Sequence, residues 1–327
     1  LKKDVYKATL KINGRTEIYA YNERDLRTEE EKQHLKALEA QYGKDSNQYL
    51  DYEQQLEDKY WEIQSRIVGN NYDTYYGEKY ERQLYPSERN YTGTNPLEAY
   101  ITYKITIRNQ SQNILAQIDE IVDYYDSTYT FEPNLSWVMY EEGSRDDIKV
   151  TDQDYYDIMS KGSKDATGKA KYRNVTTRNF NTTTGQYGAN TRFNLGNNYK
   201  TLYVNGVVNH KLQPGESEYL YLTFRVNGSG NSLVIENNNT SPGKQNIAEI
   251  NGYTTYYQDG TRLPNDVIKD SRDIAGLIDR DSNPGNFDRD ALNNTAGSRR
   301  YEQNFEDDAD RARGINVYVE DNLIRQV

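Results

Sequence analysis

The sequence has no cysteine. That absence excludes disulfides, thiol nucleophiles, zinc–thiolate sites and iron–sulfur clusters. It does not point to the cytosol, because many bacterial secreted proteins hold together without disulfides. Imidazole is almost as scarce: His34 and His210 are the whole supply and lie far apart in sequence. No stretch is long and apolar enough to span a bilayer, so membrane insertion is not expected. Phosphate-cradling glycine loops, a nucleophile elbow and paired metal-binding histidines are all missing. The chain starts at Leu1 without a methionine and shows neither signal peptide nor sorting signal. We expect a mature product or an excised fragment.

Apolar residues are also few, at 35% of 327, and the aromatic load is carried by 32 tyrosines against 6 phenylalanines. Tyrosine buries a ring while its hydroxyl still needs a partner, so the composition predicts a thin core and much half-buried surface. The 40 basic and 51 acidic residues leave a net charge of −11. With no concentrated basic face, that field opposes phosphate backbones, and nucleic acid is not an expected partner. Carboxylate pairs are plentiful enough to allow a two-carboxylate glycosidase by residue type, but in so acidic a chain such pairs arise by chance. The expectation is a protein that is not an enzyme.

Strand and helix periods divide the chain. The run DVYKATLKI alternates, with Tyr6, Ala8, Leu10 and Ile12 on one face, and Asn13-Gly14 then predicts a tight hairpin into TEIYAY. Thr28 followed by Glu31 reads as a capping box, and Leu35, Leu38 and Tyr42 recur at helical spacing up to Gly43. Ser46 opens a second helix with the stripe Tyr49, Tyr52, Leu56, Tyr60, Ile63 and Ile67. A short connection between matching stripes predicts an antiparallel helical hairpin. Alternation resumes at Ala99–Arg108 and Ile114–Tyr124, and again at Lys200–Val208, Glu218–Val226 and Gln245–Tyr257. Residues 160–198, rich in Gly, Asn, Thr and Lys, read as long loops. A last strand is expected at Ile315–Val319, with no evident hairpin partner; it closes its own sheet or adds to a neighbouring module, the second being slightly favoured.

Three segments carry a family likeness. TYKITIRNQSQNILAQIDEIVDYYDSTYTF, LQPGESEYLYLTFRVNG and QNIAEING follow one another in an order that resembles the conserved repeat domain of bacterial cell-surface proteins of Gram-positive type. IDRDSNPGN followed by FEDDAD resembles the acidic tail that follows such domains. The resemblance implies an extracellular, cell-surface Ig-like β-sandwich used in stalks, fibres and envelope layers. The overall expectation is a mainly β fold, an Ig-like β-sandwich with an inserted α-helical hairpin. Residues 1–24 would form the initial hairpin and 25–96 the helical hairpin with a Tyr-rich connector. Residues 97–258 would form the sandwich and 259–327 an Asp-rich connecting segment with the outgoing strand. Expected partners are the protein itself or neighbouring modules of the same surface protein. The alternative is an adhesin head binding glycan or host protein through Tyr72–Tyr91 and residues 160–198, and a glycoside hydrolase is third.

Two chemical sites are expected. Asp279, Asp281, Asn283 and Asn286 around Gly285, with Glu306, Asp307, Asp308 and Asp310, offer oxygens for calcium; a disordered acidic linker is the plainer reading. The second is a lysine–asparagine cross-link of a sort that surface modules sometimes contain, formed in a dry core with a carboxyl group shuttling the proton. Lys7 or Lys104 would supply the amine and Asn246 the amide; that both lysines simply face solvent is the stronger reading.

Overall fold

The computed structural model describes residues 1–20, 27–43, 46–66, 80–85, 88, 97–109, 111, 113–139, 152–161, 172–177, 180–181, 186–187, 199–205, 210–228, 230, 232–236, 244–263 and 309–320. Strands β1 (Lys2–Ile12) and β2 (Arg15–Ala20) come first, then helices α1 (Glu29–Tyr42) and α2 (Asn47–Arg66). Next are β3 (Tyr80–Gln83), β4 (Leu97–Arg108), β5 (Leu115–Asp126), β6 (Tyr129–Phe131) and β7 (Trp137–Met139). Helix α3 (Asp152–Lys161) precedes the short β8 (Tyr172–Asn174), β9 (Thr176–Thr177), β10 (Phe180–Asn181) and β11 (Gln186–Tyr187). The chain ends with β12 (Tyr199–Asn205), β13 (Ser217–Val226), β14 (Ser232–Glu236), β15 (Lys244–Tyr256) and β16 (Ala309–Glu320).

These strands make a mainly β fold of two seven-stranded antiparallel sheets, with β10–β11 as a separate ribbon. The first sheet runs β2-β1-β4-β13-β7-β8, with β6 also on β13. The second runs β3-β14-β16-β15-β5-β12-β9. One apolar core joins them, with Leu10, Ile101, Ile105 and Leu220 from the first sheet and Ile121, Leu202, Leu233 and Ala248 from the second. Interleaving two inner faces in this way is the packing of a β-sandwich.

Local chemistry sets the connections. The Asn13-Gly14 turn has both residues at positive φ, 48° and 80°, the primed-turn geometry that matches strand twist. Thr28 and Glu31 complete the predicted capping box. The Ser46 hydroxyl accepts from the Tyr49 amide at the start of α2. Leu35, Tyr49 and Leu56 then form a small core of their own with Leu38, Leu50 and Tyr52; the side chains of Tyr60 and Ile63 fall outside the described residues. The Pro214-Gly215 turn, with Gly215 at φ 81°, is tied to the end of β4. Asn109 accepts from the Gly215 amide and its own amide donates to the Glu216 carbonyl, while its side chain donates to Ile114 and Leu212.

Several expectations change. Tyrosine is a core residue here: Tyr103, Tyr124, Tyr125, Tyr129, Tyr155 and Tyr221 are among the largest fully buried side chains. Tyr6 does not share a face with Ala8, Leu10 and Ile12. A bulge between Val5 and Lys7 turns it to the outer side, where its ring meets Tyr155 and Tyr221. Helix α3, which the strand-and-loop reading lacked, covers that outer side with Tyr155, Ile158 and Met159 against Trp137 and Tyr221. The last strand is no orphan. β16 is longer than Ile315–Val319 and lies inside the second sheet between β14 and β15, closing its own sandwich.

Candidate functional site

The two faces of a strand alternate, so one extra residue in β1 reverses which side chains point inward. Beyond the bulge Ala8, Leu10 and Ile12 face the core; before it the inward phase belongs to Val5 and Lys3. Lys3 therefore enters the space between the sheets, and its side chain is fully buried. Two acceptors meet it there. Asp123 stands on β5 in inward phase with Ile121 and Tyr125. Asn246 stands on β15, two residues before Ala248, which pairs directly with Asp123. Asn246 and Asp123 are thus diagonal neighbours on one face, the arrangement that lets side chains touch across a sheet. The Lys3 ammonium donates to both Asp123 Oδ2 and Asn246 Oδ1.

The surroundings are dry and aromatic. Lys3 Nζ lies 5.2 Å from the centre of the Tyr103 ring. Tyr103, Tyr125 and Phe131 all pack on Phe224 nearby. On the far side Asn246 pairs with Ala312 of β16. Burial pushes the Asp123 carboxyl up from its ordinary value, while the charge and hydrogen bond of Lys3 pull it back. The same carboxylate adds to the burial that raises the Tyr125 hydroxyl.

Such a cluster is poor stabilising material. Taking two charges out of water usually costs as much as their attraction returns, and an apolar replacement is often at least as stable. Asp123 Oδ1 and Asn246 Nδ2 are buried with no hydrogen-bond partner among the described residues. Each orphan costs about 1–3 kcal/mol. An amine, a carboxyl and a carboxamide held together at such expense point to chemistry.

The lysines expected to act are placed elsewhere. Lys7 lies over the rings of Tyr6 and Tyr155 on the outer side of the first sheet, 5.1 and 5.3 Å from their centres. Lys104 lies 4.2 Å from the Tyr219 ring centre. Neither is the partner of Asn246, which the sequence did single out; a bulge, invisible in the alternation pattern, selects Lys3 instead. Asp123 went unnoticed because one acid in a strand of an acidic chain carries no signal.

The expected calcium ligands Asp279, Asp281, Asn283, Asn286, Glu306, Asp307 and Asp308 lie outside the described residues. Asp310 is in β16, opposite Ala248, as an element of the second sheet and not of a tail. Among the described residues no group of acidic or histidine side chains forms a metal cluster. His210 sits beside Glu216, 3.4 Å away, at the Pro-Gly turn. No described helix is long and apolar enough to cross a membrane.

No protein-family model and no curated protein matches the chain. Two solved structures are similar over part of it. The collagen-binding domain from a Staphylococcus aureus adhesin is 8% identical, covering 57% of this chain and 89% of that one, with a TM-score of 0.20. The family 3a carbohydrate-binding module from the cipA scaffolding of Clostridium thermocellum is 13% identical, covering 50% and 88%, also at 0.20. The class of the protein accordingly rests on its own sheets: an antiparallel β-sandwich with a polar triad across its core.

Proposed function

We propose that this chain is an extracellular structural module of a bacterial surface protein, akin to the conserved repeat domains that its three sequence segments resemble, and not an enzyme acting on an external substrate. The observation that supports this is the buried Lys3–Asp123–Asn246 cluster, which joins the first strand to the second sheet where a load parting the sheets would act. Partners of such a module are copies of itself or its neighbours in a stalk, fibre or envelope layer. Antibodies raised against the chain should label intact cells, and electron microscopy of shed surface material should show labelled fibres or sheets. Labelling confined to lysed cells would reject the reading.

The second reading is an adhesin head for glycan or host protein. It is favoured by the exposed Tyr85, 67% accessible within the Tyr-rich connector, and by Tyr257 at the end of β15, since exposed tyrosines serve as contact residues in many binding loops. An array of saccharides and matrix proteins tests it: a specific hit lost in Tyr85→Ala supports a head, and no hit supports the structural module.

Calcium belongs to the proposal on sequence grounds alone. Binding at about 10⁻⁴–10⁻³ M, the range of extracellular sites, is expected by calorimetry and should be lost in the Asp279→Ala, Asp281→Ala double variant. Equal binding by both proteins would remove those residues from the site.

A further inference from the structure

We infer that Lys3 and Asn246 join covalently, through an amide bond between the lysine Nζ and the asparagine Cγ, with Asp123 as the group that moves the proton. The inference stands on the three side chains in contact, and holds for a stalk and for an adhesin head alike.

The chemistry follows from where each group stands. An ammonium is no nucleophile, but Lys3 donates directly to Asp123 Oδ2. In a water-free interior, transfer of that proton replaces two buried charges by a neutral amine and a neutral carboxyl group, the state a low-dielectric site favours. The amine lone pair then attacks Asn246 Cγ, whose oxygen already lies against Lys3. A C–N bond forms, and the carbonyl π electrons move to Oδ1. Asp123 takes a proton from the attacking nitrogen and delivers one to Nδ2. The Cγ–Nδ2 bond breaks, the carbonyl re-forms, and ammonia leaves. One amine and one primary amide become one secondary amide and one ammonia, with no oxidant, reductant or activated donor.

The setting supplies what the reaction lacks in solution. Amides resist amines because the encounter is rare and the leaving group is poor. Strands β1 and β15 fix the two reactants side by side, replacing a bimolecular encounter by a held one, which is a large rate factor, and Asp123 supplies acid–base assistance. Burial excludes the water that would otherwise hydrolyse the intermediate. The two polar atoms left without partners acquire roles in the same step: Nδ2 is the departing nitrogen, and Asp123 carries the proton to it. Once made, the bond closes a loop from residue 3 to residue 246. Every element from β2 to β14 lies inside that loop, and β16 lies outside it. Traction between the two strands would then run through the bond and bypass the helices.

Intact-mass spectrometry of the whole chain tests this. The wild type should weigh less than its sequence by one ammonia, and digestion should yield a branched peptide joining Lys3 to Asn246. Lys3→Ala and Asn246→Ala should each show the full sequence mass. Asp123→Asn keeps both reactants and the side chain's shape, and should also show the full mass, or form the bond at least 100-fold more slowly. A full-mass wild type that is folded by circular dichroism overturns the inference. So does an ammonia loss that persists in Lys3→Ala, which would be a cyclisation such as succinimide formation elsewhere. Peptide mapping of the wild type decides the matter even if a variant fails to fold. It also leaves the surface-module reading untouched, since mass does not report location.

Discussion

Lys3 and Lys7 are four residues apart on one strand, yet occupy opposite environments. Lys3 lies between the sheets with a carboxyl group and a carboxamide on it, shut off from water. Lys7 lies on the outer side, half-buried, with its stem on a helix-covered aromatic layer and its charge over two tyrosine rings. The two faces of the first sheet also differ in how they satisfy polar groups. In the outer layer the Tyr155 hydroxyl lies 2.9 Å from both Thr9 and Thr102 Oγ, and Trp137 stacks on Tyr221 with ring centres 4.8 Å apart, its buried indole Nε1 having no hydrogen-bond partner among the described residues. The inner cluster leaves buried polar atoms unpaired. The first layer is made of stacked rings and shared hydroxyls, the contents of a layer built for stability. The second keeps its groups in contact at a cost, as reacting groups must be.

The comparison breaks most directly at the two lysines. Lys3→Ala strands a buried carboxyl group and should lower unfolding free energy by about 3–5 kcal/mol, before any loss of a covalent link. Lys7→Ala gives up cation–π contacts and should cost only about 0.5–1 kcal/mol. Equal effects in denaturant titrations would show that the faces are not distinct in the way the contacts suggest.

Removing the stacked ring of the outer layer in Trp137→Ala should cost about 3–5 kcal/mol by leaving a cavity under α3. The one-ammonia deficit from the sequence mass should persist, because that layer takes no part in the cluster. Loss of that deficit in this variant would tie the two faces together.

A third test uses pH. Burial raises the Tyr155 hydroxyl to about 12, against 10 in the unfolded chain. Between those values the folded state holds a proton that the unfolded state has released. The contribution of this tyrosine should therefore be flat below pH 10 and fall as pH rises to 12, by about 1.4 kcal/mol per pH unit. Burial raises Tyr100, Tyr125, Tyr129 and Tyr221 in the same direction, so the summed slope should be steeper. Tyr155→Phe should cost about 1–2 kcal/mol at neutral pH through its lost hydroxyl partners and should shallow the alkaline slope, as read by denaturant midpoints.

A similarly small effect belongs to a region outside both faces. Thr28→Ala removes the cap of α1 and should cost about 1 kcal/mol, seen as local loss of helical circular dichroism. The ammonia deficit and the pH slope should stay as in the wild type.

Local rules made the periphery legible. The Asn-Gly hairpin, the capping box, the Ser46 cap and the long alternating strands are each decided within a few residues. They appear where their sequences place them. Asn246 was legible too, as an amide on a buried strand. Its partners were not. Period-two alternation assigned Tyr6 to the core, and with it the wrong phase for every residue before the bulge. The bulge exists because β1 must pair with β4 on both sides of Tyr6 in shifted registers, a demand that comes from another strand.

By itself the amino-acid sequence determined a mainly β chain with a helical hairpin, its turns, and a scarcity of cysteine and histidine. Those follow from backbone preferences and the spacing of apolar side chains, which act over short distances along the chain. Tertiary structure alone decided that β16 sits between β14 and β15, and that residues 3, 123 and 246 meet. The contacts among residues 3, 123 and 246 span more than a hundred residues each, and the pairings of β16 span at least 60. They depend on which sheets face one another and in what register, and no local pattern encodes that.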